Sequence, residues 1–448
     1  MESINRREFI GRTAKVAAAA TAGSAFSINV LGANEKVVIG VMGIHGRGNW
    51  LACEFAKRPD VTLKYLCDPD SRLFPSRVKA VEEASGQRPE CVQDFRRMLD
   101  DPEVHGIVNA TPNHWHAPGT IWACQAEKDV YVEKPTCHNI WEGRKMIEAA
   151  RKYKRVVTCG MQNRSAEYCW KAKEYIASGA LGDVHFVRIL NSKERGTIGR
   201  RPDGEPPEGV DYDLWLGPAP KRPFNENRFH YAWNWFWDYG AGDITNDGCH
   251  QVDIARWVTG LTCPKSVYSS GGIHFFNDDQ ETPDTHSAIW DFDKCTVVYE
   301  QTLWTPYMKK TPMEIRDLDR LPTWPFSGTR FEVYGSKQFM YFGRHGGGWE
   351  TFTPDEGYGH SERIEHGNFA NAEHIANFID CVRSRELPNG DIAECHLSTS
   401  LCHYANASYR VGRKLHIDAE TETFKNDDEA NALLKREGRE PWRIPDVV

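Results

Sequence analysis

The stretch KVVIGVMGIHGRGNW, Lys36 to Trp50, runs from a β-branched strand straight into a glycine-rich turn and then into a helical pattern, LACEFAKRPD. A second strand, VTLKYLCDPD, follows and delivers Asp68 near its end. Strand, glycine turn, helix, strand and acid, in that order, are the layout of a dinucleotide-binding unit. Glycine permits the tight turn and lets backbone N–H groups at a helix N-terminus approach a pyrophosphate. Gly43 and Gly48 take the first and third glycine positions of that fingerprint, and His45 takes the middle one. Gly46, one place later, is expected to provide the close approach, flanked by His45 and Arg47. Asp68 stands where a carboxylate accepts hydrogen bonds from the adenine-side ribose. A carboxylate there repels a 2′-phosphate, which favours NAD over NADP, although Arg72 lies close by.

Downstream, GIVNATP reads as a strand stopped by Pro112, NHWHAPGTIWACQAEK as loop and helix, and VYVEKP as the next strand. In an open parallel sheet ligands sit outside the carboxyl ends of the strands. The Thr111, Pro112, Asn113 and His116 loop and the Glu133–Lys134–Pro135 turn both fall there. Pro135 fixes its own φ and restricts Lys134 before it, so the ammonium is expected to be held toward the crevice. Two histidines in NHWH invite a metal reading, but two positions apart on a loop, with no third ligand nearby, they are expected to bind none.

After RKYKRVVTCGMQNR the alternation of helix and strand ceases. VHFVRILNSK, PKSVYSSGGIHFF, THSAIWDFD, CTVVYEQTLW and RFEVYGSKQFMYFG follow as alternating or β-branched runs, with GSK at 335–337 suiting a hairpin. Successive strands without intervening helices predict an antiparallel sheet. Helical patterns return in AEHIANFIDCVRSRE and HLSTSLCHYANASYRVGRKL, and the proline- and charge-rich 200–223 stretch reads as a surface loop or arm. The expected organisation is a nucleotide-binding domain over 34–160 and a substrate and oligomerisation domain over 161–448.

The 448 residues leave room for two domains at about 100–200 residues each, and 63 acidic against 55 basic residues give net −8. That balance is a poor footprint for nucleic acid or an anionic membrane. The first 33 residues stand apart: Arg6 and Arg7 precede a phenylalanine and a weakly apolar, alanine-rich stretch. They resemble a twin-arginine export signal, which implies a periplasmic or otherwise exported protein with no membrane span in its mature form. The thirteen cysteines are scattered, without zinc-type CxxC spacing, so no structural metal site is expected.

GVMGIHGRG, ATPNHWH, VEKP, GMQNRS and GDITNDGCHQVDIARW, in this order, resemble the glucose–fructose oxidoreductase, inositol dehydrogenase and MocA (Gfo/Idh/MocA) family. The resemblance implies a Rossmann domain of α/β class, then a C-terminal α/β domain whose open, mostly antiparallel sheet covers the nicotinamide. It also implies a sugar or polyol substrate, NAD as cofactor, homo-oligomerisation through the C-terminal sheet, and a substrate-side proton role for Lys134. His250 follows as the second catalytic candidate, although a structural histidine fits the same residue. Asn246 stands where the family's D-x-G-x-H has its acid; an amide takes no proton but can orient a hydroxyl or an imidazole. His114 and His116 are expected on the nicotinamide pocket, Gln162 on the cofactor side, and Arg164 on the substrate side. Trp233, Trp235 and Trp237 alternate; they suit stacking on sugar rings, as well as a core or a subunit interface. An exported enzyme meets no free NAD pool, so the cofactor is expected to be tightly held and recycled within a catalytic cycle. Two alternatives stay open: a redox-neutral glycosidase or eliminase that oxidises its sugar transiently, and a non-catalytic sugar-binding protein of the same fold.

Overall fold

The computed structural model describes residues 35–316, 318, 320–354 and 359–448. The segment read as an export signal lies outside the described residues. The described residues, from Glu35 onward, form one compact unit carrying two sheets.

The first sheet contains β1 (Val37–Met42), β2 (Val61–Cys67), β3 (Glu90–Val92), β4 (Gly106–Asn109), β5 (Asp129–Val132) and β6 (Val157–Cys159). Their order is β3-β2-β1-β4-β5-β6, and all pairs are parallel. Strand order reverses between β1 and β4, and the crevice for a ligand opens at that switch point. The sequence explains the arrangement. VVIGVM and DVYV are nearly continuous apolar runs buried on both faces, as strands covered by helices on either side require. Among those helices are α1 (Arg47–Ala56), α2 (Phe74–Ser85), α3 (His116–Gln125) and α4 (Ile140–Lys152).

The second sheet has ten strands: β7 (Phe186–Ser192), β8 (Ser266–Gly272), β9 (Thr285–Asp291), β10 (Thr296–Thr302), β11 (Arg330–Tyr334), β12 (Phe339–Gly343), β13 (Trp349–Thr353), β14 (His360–Glu365), β15 (Leu415–Asp418) and β16 (Thr423–Phe424). Their order is β14-β13-β12-β11-β7-β10-β9-β8-β15-β16. Only β7 and β10 pair in parallel; the other pairs are antiparallel. The Gly335–Lys337 turn joins β11 to β12 as a hairpin, with Gly335 N donating to Gln338 O at 2.9 Å. Strands β9 and β10 alternate buried and more exposed positions, so one face is core and the other faces outward. On the inner face Trp290 and Tyr299 are fully buried. Helices α5 (Glu167–Ala177), α6 (Cys249–Thr259), α7 (Asn371–Ser384) and α8 (Ile392–Val411) complete the layers. α8 packs on β8, α6, α4 and β6, which ties the two sheets to one core.

The 200–223 stretch is more than a surface arm. Asp211 caps a short helical turn, Tyr212–Leu216, by accepting from Leu214 N at 2.9 Å. This turn buries Leu214, Trp215 and Leu216, and Trp215 joins Phe224, Phe229, Trp235 and Tyr239 in a second aromatic cluster. All thirteen cysteines are free thiols, most of them buried, where they pack as small apolar residues.

Candidate active site

A cleft opens at the carboxyl ends of β1, β2, β4 and β5. The β1–α1 turn forms its floor, and three glycines do different work there. Gly43 has φ +81°, and a Cβ on it would meet Ala110 O and Thr111 N at 2.6 Å. A Cβ on Gly48 would strike Gly43 O at 1.9 Å, so Gly48 closes the helix on the turn and does not line the cleft. Gly46 lines the cleft, and a Cβ there would meet nothing within 4 Å. Gly46 thus leaves the backbone open where a pyrophosphate approaches the first N–H groups of α1. His45 is also on the wall, its ring stacked on His230 at 4.1 Å.

Asp68, at the end of β2, lines the cleft and accepts from Ile44 N at 2.9 Å and Asp70 N at 3.0 Å. Burial outweighs those hydrogen bonds and pushes its carboxyl up to about 6. Arg72 is turned onto Asp70, with its Nε and Nη2 both at 2.7 Å from that carboxylate. These groups fit a dinucleotide: an open glycine at a helix N-terminus, and an acid at the neighbouring strand end.

The opposite wall comes from β4 and β5. Thr111, Pro112, Asn113, Trp115 and His116 line it together with Glu133 and Lys134. The His116 ring is fixed between two carbonyls, Pro135 O at 2.6 Å and Thr111 O at 2.9 Å. Glu133 accepts from Arg47 Nε at 2.7 Å. Burial opposes the Glu133 charge, but Arg47 and Lys134 more than offset it and hold the carboxyl below its usual range. The Lys134–Pro135 bond is cis. Lys134 Nζ donates to the Asn246 backbone carbonyl and sits 3.3 Å from Asn246 Oδ1.

Asn246 also lines the cleft, and its amide has a structural reason. Its Nδ2 donates to Asp243 Oδ1 at 3.3 Å while its Oδ1 faces Lys134. A carboxylate would lose the donor and face a second carboxylate. Residues Ile244–Gly248 form a π-helical turn, which carries one extra residue per turn. Asp247 is therefore directed away from Lys134 into a buried ion cluster, with Lys193 Nζ at 2.7 Å and Arg344 Nη1 at 2.8 Å.

Several expected site residues lie elsewhere. His250 is buried at the start of α6, off the cleft wall, and its Nδ1 has no hydrogen-bond partner. Burial, reinforced by Arg344 and Lys134, holds its imidazole well below its usual range, so it is neutral. Arg164 does not reach the cleft: it is 1 % exposed, bonds Asp253 at 2.7 Å and packs over Trp257. Gln162 is likewise buried beyond β6, away from the wall. His114 turns from the cleft to Trp215 O at 2.9 Å. Of the alternating tryptophans only Trp233 lines the cleft, while Trp235 is buried in the aromatic cluster. The cause is local: His230–Trp235 is a 3₁₀ helix, in which alternate residues do not share a face as they do in a strand.

Sequence reasoning missed Leu214, Trp215, His230, Tyr231 and Asn234, which also line the cleft. The capped turn DYDLW carried a readable signal, an Asp three residues before a leucine–tryptophan pair.

Comparison with known proteins agrees with this layout. The model described as "Oxidoreductase family, NAD-binding Rossmann fold" matches residues 36–161. "Oxidoreductase family, C-terminal alpha/beta domain" matches 198–296 and 363–444. A myo-inositol 2-dehydrogenase of Thermotoga maritima is 27% identical over 384 residues, 85% of this chain and 98% of that protein. A levoglucosan dehydrogenase of Pseudarthrobacter phenanthrenivorans is 28% identical over 167 residues, 37% of this chain and 36% of that one. Among solved structures, a levoglucosan dehydrogenase in complex with NADH and levoglucosan superposes with TM-score 0.63 at 15% identity, over 85% of this chain and 99% of the other. The WlbA dehydrogenase of Bordetella pertussis, in complex with NADH and UDP-GlcNAcA, superposes with TM-score 0.62 at 20% identity, over 86% and 99%. At these identities the superpositions speak to the fold.

Proposed function

The chain belongs to the Gfo/Idh/MocA oxidoreductase family, and from that premise we propose that it is an NAD-dependent oxidoreductase of a sugar or polyol, acting at a secondary alcohol. One observation carries the reading: Lys134 Nζ lines the same cleft as Gly46 and Asp68, and Asn246 holds it there. When bound, NAD supplies the hydride acceptor. Everything else falls to the chain. Gly46 and the start of α1 receive the pyrophosphate, and Asp68 the ribose hydroxyls. Lys134 exchanges a proton with the substrate hydroxyl, and the two Asn246 oxygens aim its amine. Trp233 and Tyr231 offer aromatic faces to the apolar face of a sugar ring.

NAD is favoured over NADP because Asp68 repels a 2′-phosphate and Arg72 is engaged by Asp70. Reading the first 33 residues as an export signal favours a tightly held, internally recycled cofactor. The outer face of the second sheet, where Tyr268 and Ile289 are exposed, is the proposed subunit contact.

Native mass spectrometry of the purified full chain tests the reading, followed by single-turnover absorbance with a panel of sugars. Expected are one retained NAD per chain and reduction of the bound nicotinamide by at least one sugar. A protein that neither retains nor binds NAD would overturn it. Release of a sugar without net oxidation would assign the redox-neutral variant of the reaction.

A further inference from the structure

A second group of charges lies behind the cleft wall, joined to it by hydrogen bonds to Asn246 and Tyr231, and has no part in the chemistry above. Its members are Lys193, Arg195, Lys310 and Arg344, on two carboxylates, Asp243 and Asp247. Lys193 Nζ lies 2.5 Å from Asp243 and 2.7 Å from Asp247. Arg195 Nη2 is 2.9 Å from Asp243 and 4.0 Å from Asp247. Lys310 Nζ is 3.0 Å and Arg344 Nη1 2.8 Å from Asp247. Four cations thus share two carboxylates, and among the described residues no other acid is in ion-pair reach of these four.

A balanced cluster would be a structural strut, as the Arg164–Asp253 pair is. This one is not balanced, and its excess is directed. Arg195 and Lys310 keep side-chain exposures of 20 % and 36 %, whereas Lys193, Arg344 and both carboxylates are all but buried. The Nε–H groups of Arg195 and Arg344 are buried with no acceptor, and a buried donor without a partner asks for an explanation. Leaving cations desolvated and short of counter-charge is unfavourable unless another anion completes the set.

The cluster also connects with the catalytic lysine. From Lys134 the path runs to Asn246 Oδ1, then from Asn246 Nδ2 to Asp243, and from Asp243 to Arg195. Arg195 Nη1 in turn donates to the hydroxyl of Tyr231, which lines the cleft. Arg195 itself lines a neighbouring hollow with Thr197, Phe275 and Trp304, and its bond to Tyr231 links that hollow to the cleft, so an extended sugar in the cleft can present an anion to Arg195 and Lys310.

We propose that the substrate is an anionic carbohydrate, whose single compact oxyanion, a carboxylate or a sulfate ester, is held by Arg195 and Lys310. The proposal rests on the sugar-oxidoreductase reading and narrows it to charged sugars. Arginine suits the planar, two-oxygen face of such a group, and Lys310 adds a point charge beside it. Asp243 and Asp247 then orient the cations, and the anion completes their charge.

Calorimetric binding to the NAD-loaded full chain tests this without requiring turnover. The probes are methyl glucoside, methyl glucuronide and glucose 6-sulfate. Expected is binding of at least one charged sugar about tenfold or more tighter than the neutral glucoside, weakening with added salt. The tighter of the two charged probes identifies carboxylate or sulfate ester. Lys310→Met should remove most of that preference, and Lys310→Arg, which keeps the cation beside Asp247, should retain it. Glucoside binding as tightly as both charged probes, or a preference that survives Lys310→Met, overturns the proposal. Oxidation of neutral sugars only would overturn it and leave the oxidoreductase reading intact. Charged sugars bound with that preference but never oxidised would keep the anion site and overturn the oxidoreductase reading.

Discussion

Replacing Asn246 by Asp tests whether the amide is there for the reason its contacts give. In Asn246→Asp the atom that donated to Asp243 Oδ1 from 3.3 Å becomes a carboxylate oxygen at the same distance. At an effective dielectric near 20, two unit charges about 3.3 Å apart repel by roughly 5 kcal/mol. The other oxygen faces Lys134 Nζ, also at 3.3 Å, so an attraction of similar size offsets most of that repulsion. What remains is the lost hydrogen bond and a buried acceptor facing an acceptor, about 1–3 kcal/mol. Urea titration of the holoprotein should show that loss, and the melting temperature should fall by about 1 °C per kcal/mol for a unit of this size. The paired change Asp243→Asn, Asn246→Asp restores one donor and one acceptor. Asp243→Asn alone costs more, because Asp243 also holds Lys193 and Arg195. The double variant should therefore be about 1–3 kcal/mol more stable than the sum of the two singles predicts. An Asn246→Asp protein as stable as its parent, with coupling within about 0.5 kcal/mol of zero, would refute the contact and the explanation of the amide.

Arg164→Leu leaves Asp253 buried without its guanidinium and should cost about 3–5 kcal/mol by urea titration, with KM for the sugar unchanged in the folded protein; a raised KM at full stability would return Arg164 to the substrate site. Asp68 is raised to about 6 by burial, and ribose hydroxyls are accepted by the ionised form. NAD affinity, measured by fluorescence titration, should thus be constant above that pH and fall by up to about tenfold per unit below it, and Asp68→Asn should flatten the profile. Lys310 is lowered to about 8, first by burial and then by Arg344, Lys193 and Arg195 against the opposing Asp247. Its cation is lost as pH rises through that value, so affinity for a charged sugar should decline there while affinity for a neutral one stays level.

The first sheet was legible because its grammar is local. A β-branched run, a glycine turn, a helix and an acid recur within about thirty residues, and the places of Gly43, Gly46 and Asp68 on the cleft follow from spacing. Lys134 was legible for the same reason: a strand end in a parallel sheet faces the crevice. The other half was legible only in part: Asn246 followed from the D-x-G-x-H frame and Trp233 from the tryptophan run, whereas Leu214, Trp215, His230, Tyr231 and Asn234 were not. Tyr231 and Trp233 stand on a 3₁₀ segment, and Asn246 on a π-helical turn, so neither the period of a strand nor that of an α-helix says which side chain faces inward. Arg164 shows a different limit. A charged residue after a strand end reads as a ligand group, and only tertiary packing reveals Asp253 beneath it. The cationic cluster draws on Lys193, Asp243, Lys310 and Arg344, which lie far apart in sequence, and no spacing rule could have gathered them.

The central claim is that Lys134 moves the substrate proton in a cleft that holds NAD. Single-turnover absorbance of Lys134→Met, loaded with NAD as confirmed by native mass spectrometry, tests it most directly. Retained nucleotide, with the first-turnover rate of nicotinamide reduction down by about 10²–10⁴-fold, is the predicted result. Reduction at the parent rate would contradict it.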